Sequence, residues 1–134
     1  MRLLFLGDVM GRTGRKAISE RLQRLRDEWR LDFVVVNGEN ATGGMGLSAG
    51  HAKVLLEAGA DCITLGDHAF DQRDMLTLCE QEPRIVRPLN FAKAAPRNGV
   101  RRLQAPHATK APVAQPLAHV ALHNPHRHPC LLSA

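Results

Sequence analysis

Three apolar runs in the N-terminal part of the chain each end in a glycine followed by a carboxylate. They read Leu3-Leu4-Phe5-Leu6-Gly7-Asp8, Phe33-Val34-Val35-Val36-Asn37-Gly38-Glu39-Asn40 and Cys62-Ile63-Thr64-Leu65-Gly66-Asp67-His68. Runs of this length suit strands buried in a sheet, and the segments between them carry helical spacing. The alternation βαβαβα points to an α/β fold with a parallel sheet and right-handed crossovers. Parallel strands share one carboxyl edge, so Asp8, Glu39 and Asp67 should emerge together, where open α/β sheets bind their ligands. Three carboxylates gathered there repel one another, and a bound cation is the simplest way to hold them.

The strands are expected at 2–6, 32–36 and 61–65, with Ile85-Val86 as a short fourth. A first helix over 13–30 would set Ile18, Leu22, Leu25 and Trp29 on its apolar face. Ser48 should start a second, with Ala52, Leu55 and Leu56 inward and Gly59 as its stop. Asp71 should cap a third running to Glu80, with Met75, Leu78 and Cys79 inward.

Charge and composition divide the chain. Residues 1–82 carry a net charge of −3, whereas residues 83–134 hold eight basic residues and no acid. All eight prolines lie in the second segment and ten of the eleven glycines in the first. We place a partial α/β domain at 1–98 and a basic Pro/Ala/His-rich tail at 99–134. The tail lacks sustained strand or helix periodicity, so it is expected to be poorly ordered or ordered only by docking. No apolar run approaches the about 18 residues a membrane span needs, and the N-terminal apolar stretch is too short for a signal peptide, which suggests a cytoplasmic protein. The three cysteines are widely spaced and form no CxxC, against a disulfide framework or thiolate zinc site. Cys62 and Cys79 read as buried apolar filler.

The chemistry concentrates in the three loops. Asp8 suits a metal ligand, and equally a carboxylate favoured by a helix dipole. The glycines at 7, 11 and 14 could cradle a phosphate, but they match neither a Walker loop nor GxGxxG. Glu39 and Asn40 offer adjacent oxygen donors for a hard or borderline cation. His68, beside Asp67, could bind metal or protonate a leaving oxygen. His51 reads as a surface residue. The tail histidines 123, 126 and 128 read as solvated rather than ligating. The basic stretch 84–110 lacks interleaved aromatics, which argues against nucleic acid. A basic-tail nucleic-acid binder stands as a third reading.

On these motifs the chain resembles the YmdB-like metallophosphodiesterases of the calcineurin-like metallophosphoesterase superfamily. The resemblance rests on Leu6-Gly7-Asp8-Val9-Met10-Gly11 with Gly14-Arg15, and on Val36-Asn37-Gly38-Glu39-Asn40-Ala41 with Gly43-Gly44 and Gly46-Leu47. It continues in Ala58-Gly59-Ala60-Asp61, Thr64-Leu65-Gly66-Asp67-His68 and Glu82-Pro83-Arg84-Ile85-Val86-Arg87-Pro88-Leu89-Asn90-Phe91. It covers about residues 1–98, the N-terminal half of such a protein. It implies half of an α/β sandwich and a dinuclear site of iron or manganese that hydrolyses phosphodiesters such as cyclic nucleotides. Asp8 and Asn40 would bind one metal, Glu39 would bridge, Asp67 would bind the second, and His68 would be the proton donor. The family usually has asparagine at the Asp67 position, and its second half supplies three further metal-binding histidines. The expectation is therefore an incomplete or weakly active phosphodiesterase with a tail of truncated or frame-shifted origin, possible homo-oligomers and no membrane association. The alternative is a non-catalytic α/β remnant binding a nucleotide or partner protein.

Overall fold

A computed structural model describes residues 2–91, 100–104 and 110–114 of the chain. The elements run β1 (Leu3–Leu6), α1 (Gly11–Trp29), β2 (Phe33–Asn37), α2 (Ala49–Glu57), β3 (Cys62–Thr64), α3 (Arg73–Gln81), β4 (Ile85–Val86), β5 (Val100–Gln104) and β6 (Lys110–Ala114). The first four strands form one parallel sheet in the order β1-β2-β3-β4. Strand order follows chain order, so every crossover steps in the same direction. With a common hand, all three helices must then lie on one face of the sheet.

The core packs accordingly. Val34, Val36, Ile63 and Ile85 join Ile18 and Leu22 of α1, Ala52 and Leu55 of α2, and Met75 and Cys79 of α3 in one continuous apolar cluster. The opposite sheet face holds a second cluster of Phe33, Val35, Cys62 and Val86. β2 and β3 are buried on both faces, as their uninterrupted apolar sequences require. β1 differs from expectation. It lies at the sheet edge, its burial alternates, and Leu3 and Phe5 are half exposed. A run of apolar residues signals a strand but not its place in the sheet.

Trp29 is a second departure. It falls in the last turn of α1 and is half exposed. The helix ends at Arg30, which takes a left-handed conformation (φ 50°). α2 begins as expected, with the Ser48 hydroxyl accepting from the His51 amide at 3.3 Å. A clasp fastens α1 to the sheet. Arg26 Nη1 donates to Asp61 Oδ2 and to the Gly59 carbonyl, each at 2.6 Å, and Asp61 Oδ2 also accepts from the Val34 amide at 2.7 Å. Among the described residues no helix is long and apolar enough to cross a membrane.

Two segments of the region expected to form the tail, Val100–Gln104 and Lys110–Ala114, are strands. β5 and β6 pair antiparallel from Val100↔Ala114 to Gln104↔Lys110. A hairpin is held by cross-strand hydrogen bonds and needs no long apolar period, which is why sequence periodicity does not reveal it. Leu103 packs against the Phe33, Val35, Cys62 and Val86 cluster. The histidines at 123, 126 and 128, and Cys130, lie outside the described residues.

Candidate metal centre

The carboxyl edge of the sheet is built by three interlocked loops. The amide of Val9 donates to the Asn37 carbonyl at 3.1 Å, tying the first loop to the end of β2. The Asn40 carbonyl accepts from Gly11 and from Gly44, each at 3.0 Å, and so receives one of the unpaired amides that open α1. Arg15 reaches from α1 to the Ala41 carbonyl. The third loop turns tightly, with Ala69 N to Gly66 O at 3.1 Å and Asp71 N to His68 O at 3.3 Å.

These loops bring the expected residues together. Asn40 Nδ2 donates to Asp8 Oδ1 at 2.7 Å. Asp8 is held at φ 44°, a left-handed conformation that Asp tolerates better than most side chains but that still stores strain. Glu39 extends across the edge to the third loop, where its carboxylate lies against Gly66, beside Asp67 in sequence. Burial above all, then the neighbouring Asp67 carboxylate, then the charge of Asp8, raise the Glu39 carboxyl above its usual range, while His68 opposes them. Ionised carboxylates this near repel one another, and a proton or a cation relieves the repulsion. The Oε2 atom of Glu39 is also buried without a hydrogen-bond partner. Such an orphaned oxygen, flanked by two more carboxylates, is the arrangement a cation satisfies. The donors are oxygens with one imidazole close by, which suits a hard or borderline metal. Among the described residues, no three His, Cys, Asp or Glu side chains are grouped so that they could hold a metal ion, so the carboxylates share one edge without forming a complete site.

His68 lies beside the carboxylates, its Nε2 3.9 Å from Asp67 Oδ2. Its other ring nitrogen, Nδ1, is 2.6 Å from Asp71 Oδ2. This corrects the role expected of Asp71. The N-cap of α3 is Gln72, without a side-chain cap, and Asp71 instead orients the imidazole. That hydrogen bond is the main reason the His68 pKa is raised; burial opposes it, and Asp67 adds to it. The spacing of three residues between His68 and Asp71 is the available signal, but a helix start offers the simpler reading.

His51 is more than the surface residue its sequence context suggests. Its Nδ1 is 2.8 Å from Thr42 Oγ1, and that hydroxyl accepts from the Ser48 amide at 2.8 Å. The pair fixes the second loop against α2. Burial first, then the charge of Arg15, lower the His51 pKa, and Asp74 acts in the other direction. Cys62 and Cys79 are buried as expected, and burial, then Asp61, push the Cys62 thiol up to about 12, far from a reactive thiolate.

The fold is that of an α/β protein, a parallel sheet with helices on one face and acidic loops at its carboxyl edge. A model of the YmdB-like protein family matches residues 4–132, and the chain belongs to that family. The match runs past residue 98, against the expectation that the resemblance stops there. A 2',3'-cyclic-nucleotide 2'-phosphodiesterase of Bacillus subtilis (strain 168) is 37% identical over 105 residues, which make up 78% of this chain and 40% of that protein. The crystal structure of a hypothetical protein from Thermus thermophilus superposes with a TM-score of 0.74 at 43% identity, covering 79% of this chain and 41% of the other. A novel phosphatase from Mycoplasma pneumoniae gives 0.68 at 39% identity, covering 75% and 37%. The chain thus spans about 40% of the length of the relative from Bacillus subtilis.

Proposed function

We propose that this chain carries the acidic half of a metal-dependent phosphodiesterase site, acting on phosphodiesters of the cyclic-nucleotide type. The observation that carries the reading is the buried, unpartnered Glu39 Oε2 between the charges of Asp67 and Asp8. Asp8, Glu39, Asn40 and Asp67 are the residues that would hold the metal. Manganese or iron fits the oxygen-rich donor set. Divalent cations, when bound, supply the Lewis acidity that polarises a phosphoryl oxygen and acidifies a water. His68, steadied by Asp71, presents Nε2 to the same space and donates its proton to the departing alkoxide. The family membership and the phosphodiesterase and phosphatase relatives support this reading.

Because no three of the described ligating side chains are grouped to hold a metal ion, the isolated 134-residue chain should bind a cation weakly and turn over slowly. A cytoplasmic site of action is part of the same reading. The test is hydrolysis of a generic diester, bis-p-nitrophenyl phosphate, with Mn2+ added or chelated. We expect slow, Mn2+-dependent release of nitrophenol that disappears in Asp8→Ala and Glu39→Ala. Turnover that survives either substitution, or that ignores the metal, rejects the proposal.

A further inference from the structure

Each of the three loops places a glycine before its carboxylate, but the glycines serve different ends. A Cβ on Gly7 would meet only the Phe5 ring, 3.5 Å away, an ordinary contact. On Gly38 it would press on Ile63 Cγ2 at 2.9 Å, an apolar packing constraint. On Gly66 it would fall 1.3 Å from Glu39 Oε2, 2.3 Å from Cδ and 2.8 Å from Oε1. The Glu39 carboxylate therefore occupies the volume that any other residue at position 66 would fill. Gly66 does not have a positive φ, so backbone conformation does not require glycine there. Close approach does.

The geometry points to Gly66 as the positioning residue of the site: its bare Cα is the seat on which the Glu39 carboxylate rests between Asp8 and Asp67. This deepens the metal-centre reading and rests on it for its functional consequence. Glu39 is a long, flexible side chain reaching from one loop to another. Its Oε2 is buried, yet no donor holds it there. The missing side chain at 66 leaves room for that position. An alanine at 66 would drive the carboxylate from its seat into solvent, where it no longer faces Asp67. Backbone and core can stay in place, because the atoms to be moved are the far end of one side chain.

Two readouts test this on the full 134-residue chain, with Mn2+ alone as the probe. In calorimetric titration, Gly66→Ala should weaken Mn2+ binding by about 10- to 100-fold, the range typical of residues that orient metal ligands. Gly7→Ala, the equivalent position in the first loop, should bind Mn2+ as the unsubstituted chain does. The second readout is metal-free thermal melting in chelator of Gly66→Ala, Glu39→Ala and the double variant. With Glu39 truncated, the alanine at 66 meets no carboxylate, so the two effects should be non-additive. Additive melting shifts show that Gly66 does not seat Glu39 and overturn the proposal. Unchanged Mn2+ affinity in Gly66→Ala overturns it too. If the unsubstituted chain binds no Mn2+, the metal-centre reading fails along with the functional role of the seat. The melting cycle then decides by itself whether the seat exists.

Discussion

At the scale of single residues, the site is a set of local penalties accepted for one arrangement. Asp8 sits in the left-handed region and contributes nothing to the core. Asp8→Gly should remove Mn2+ binding yet change metal-free stability by less than about 1 kcal/mol, since relief of the left-handed strain offsets the lost hydrogen bond to Asn40. Urea denaturation in chelator checks the second half of that statement. Asp67→Asn should stabilise the metal-free chain at neutral pH by about 1 kcal/mol, because it removes a like charge and offers an amide donor to the Glu39 carboxylate. A lower melting temperature for this variant in chelator contradicts the repulsion between Asp67 and Glu39. His51 gives a pH signature. Its folded pKa lies below the unfolded value of 6.5, so the unfolded chain binds the proton first as pH falls. The associated stability is complete above pH 6.5 and is lost as pH drops through the folded pKa. His51→Gln should flatten the stability profile in that window, as measured by urea unfolding at a series of pH values.

At the scale of elements, the helices follow their sequences closely, and the exceptions lie at their ends. Ser48 is legible as a cap because serine before an apolar period is a local signal. Asp71 is not, because the same local signal competes with a histidine three residues away, and only the turn geometry decides between them. Arg30 ends α1 at φ 50°, where glycine is the usual occupant. Arg30→Gly should therefore raise stability by about 1 kcal/mol, read as a higher melting temperature. A decrease would mean that the arginine side chain makes a contact worth more than the strain.

At the scale of the whole molecule, the Arg26–Asp61 clasp joins α1, the β3 approach and β2. Asp61→Ala leaves a partly buried guanidinium and the Val34 amide without their carboxylate, and should cost about 2–3 kcal/mol in chemical denaturation. Chain order and the carboxyl-edge cluster were legible from sequence alone. Apolar runs and helical periods are local properties, and strand polarity then forces Asp8, Glu39 and Asp67 to one edge. Other features were decided only by the tertiary structure: the exposed edge position of β1, the hairpin of β5 and β6, the Asp71 support of His68 and the seat of Glu39 on Gly66. Each depends on which strand is outermost, which backbone a strand pairs with, where a tight turn aims a side chain, or how closely two loops approach. The repeated glycine-carboxylate pattern shows the division. The repeat itself is written in the sequence, but three-dimensional packing makes Gly7 tolerant, sets Gly38 against the core and reserves the space above Gly66 for a carboxylate.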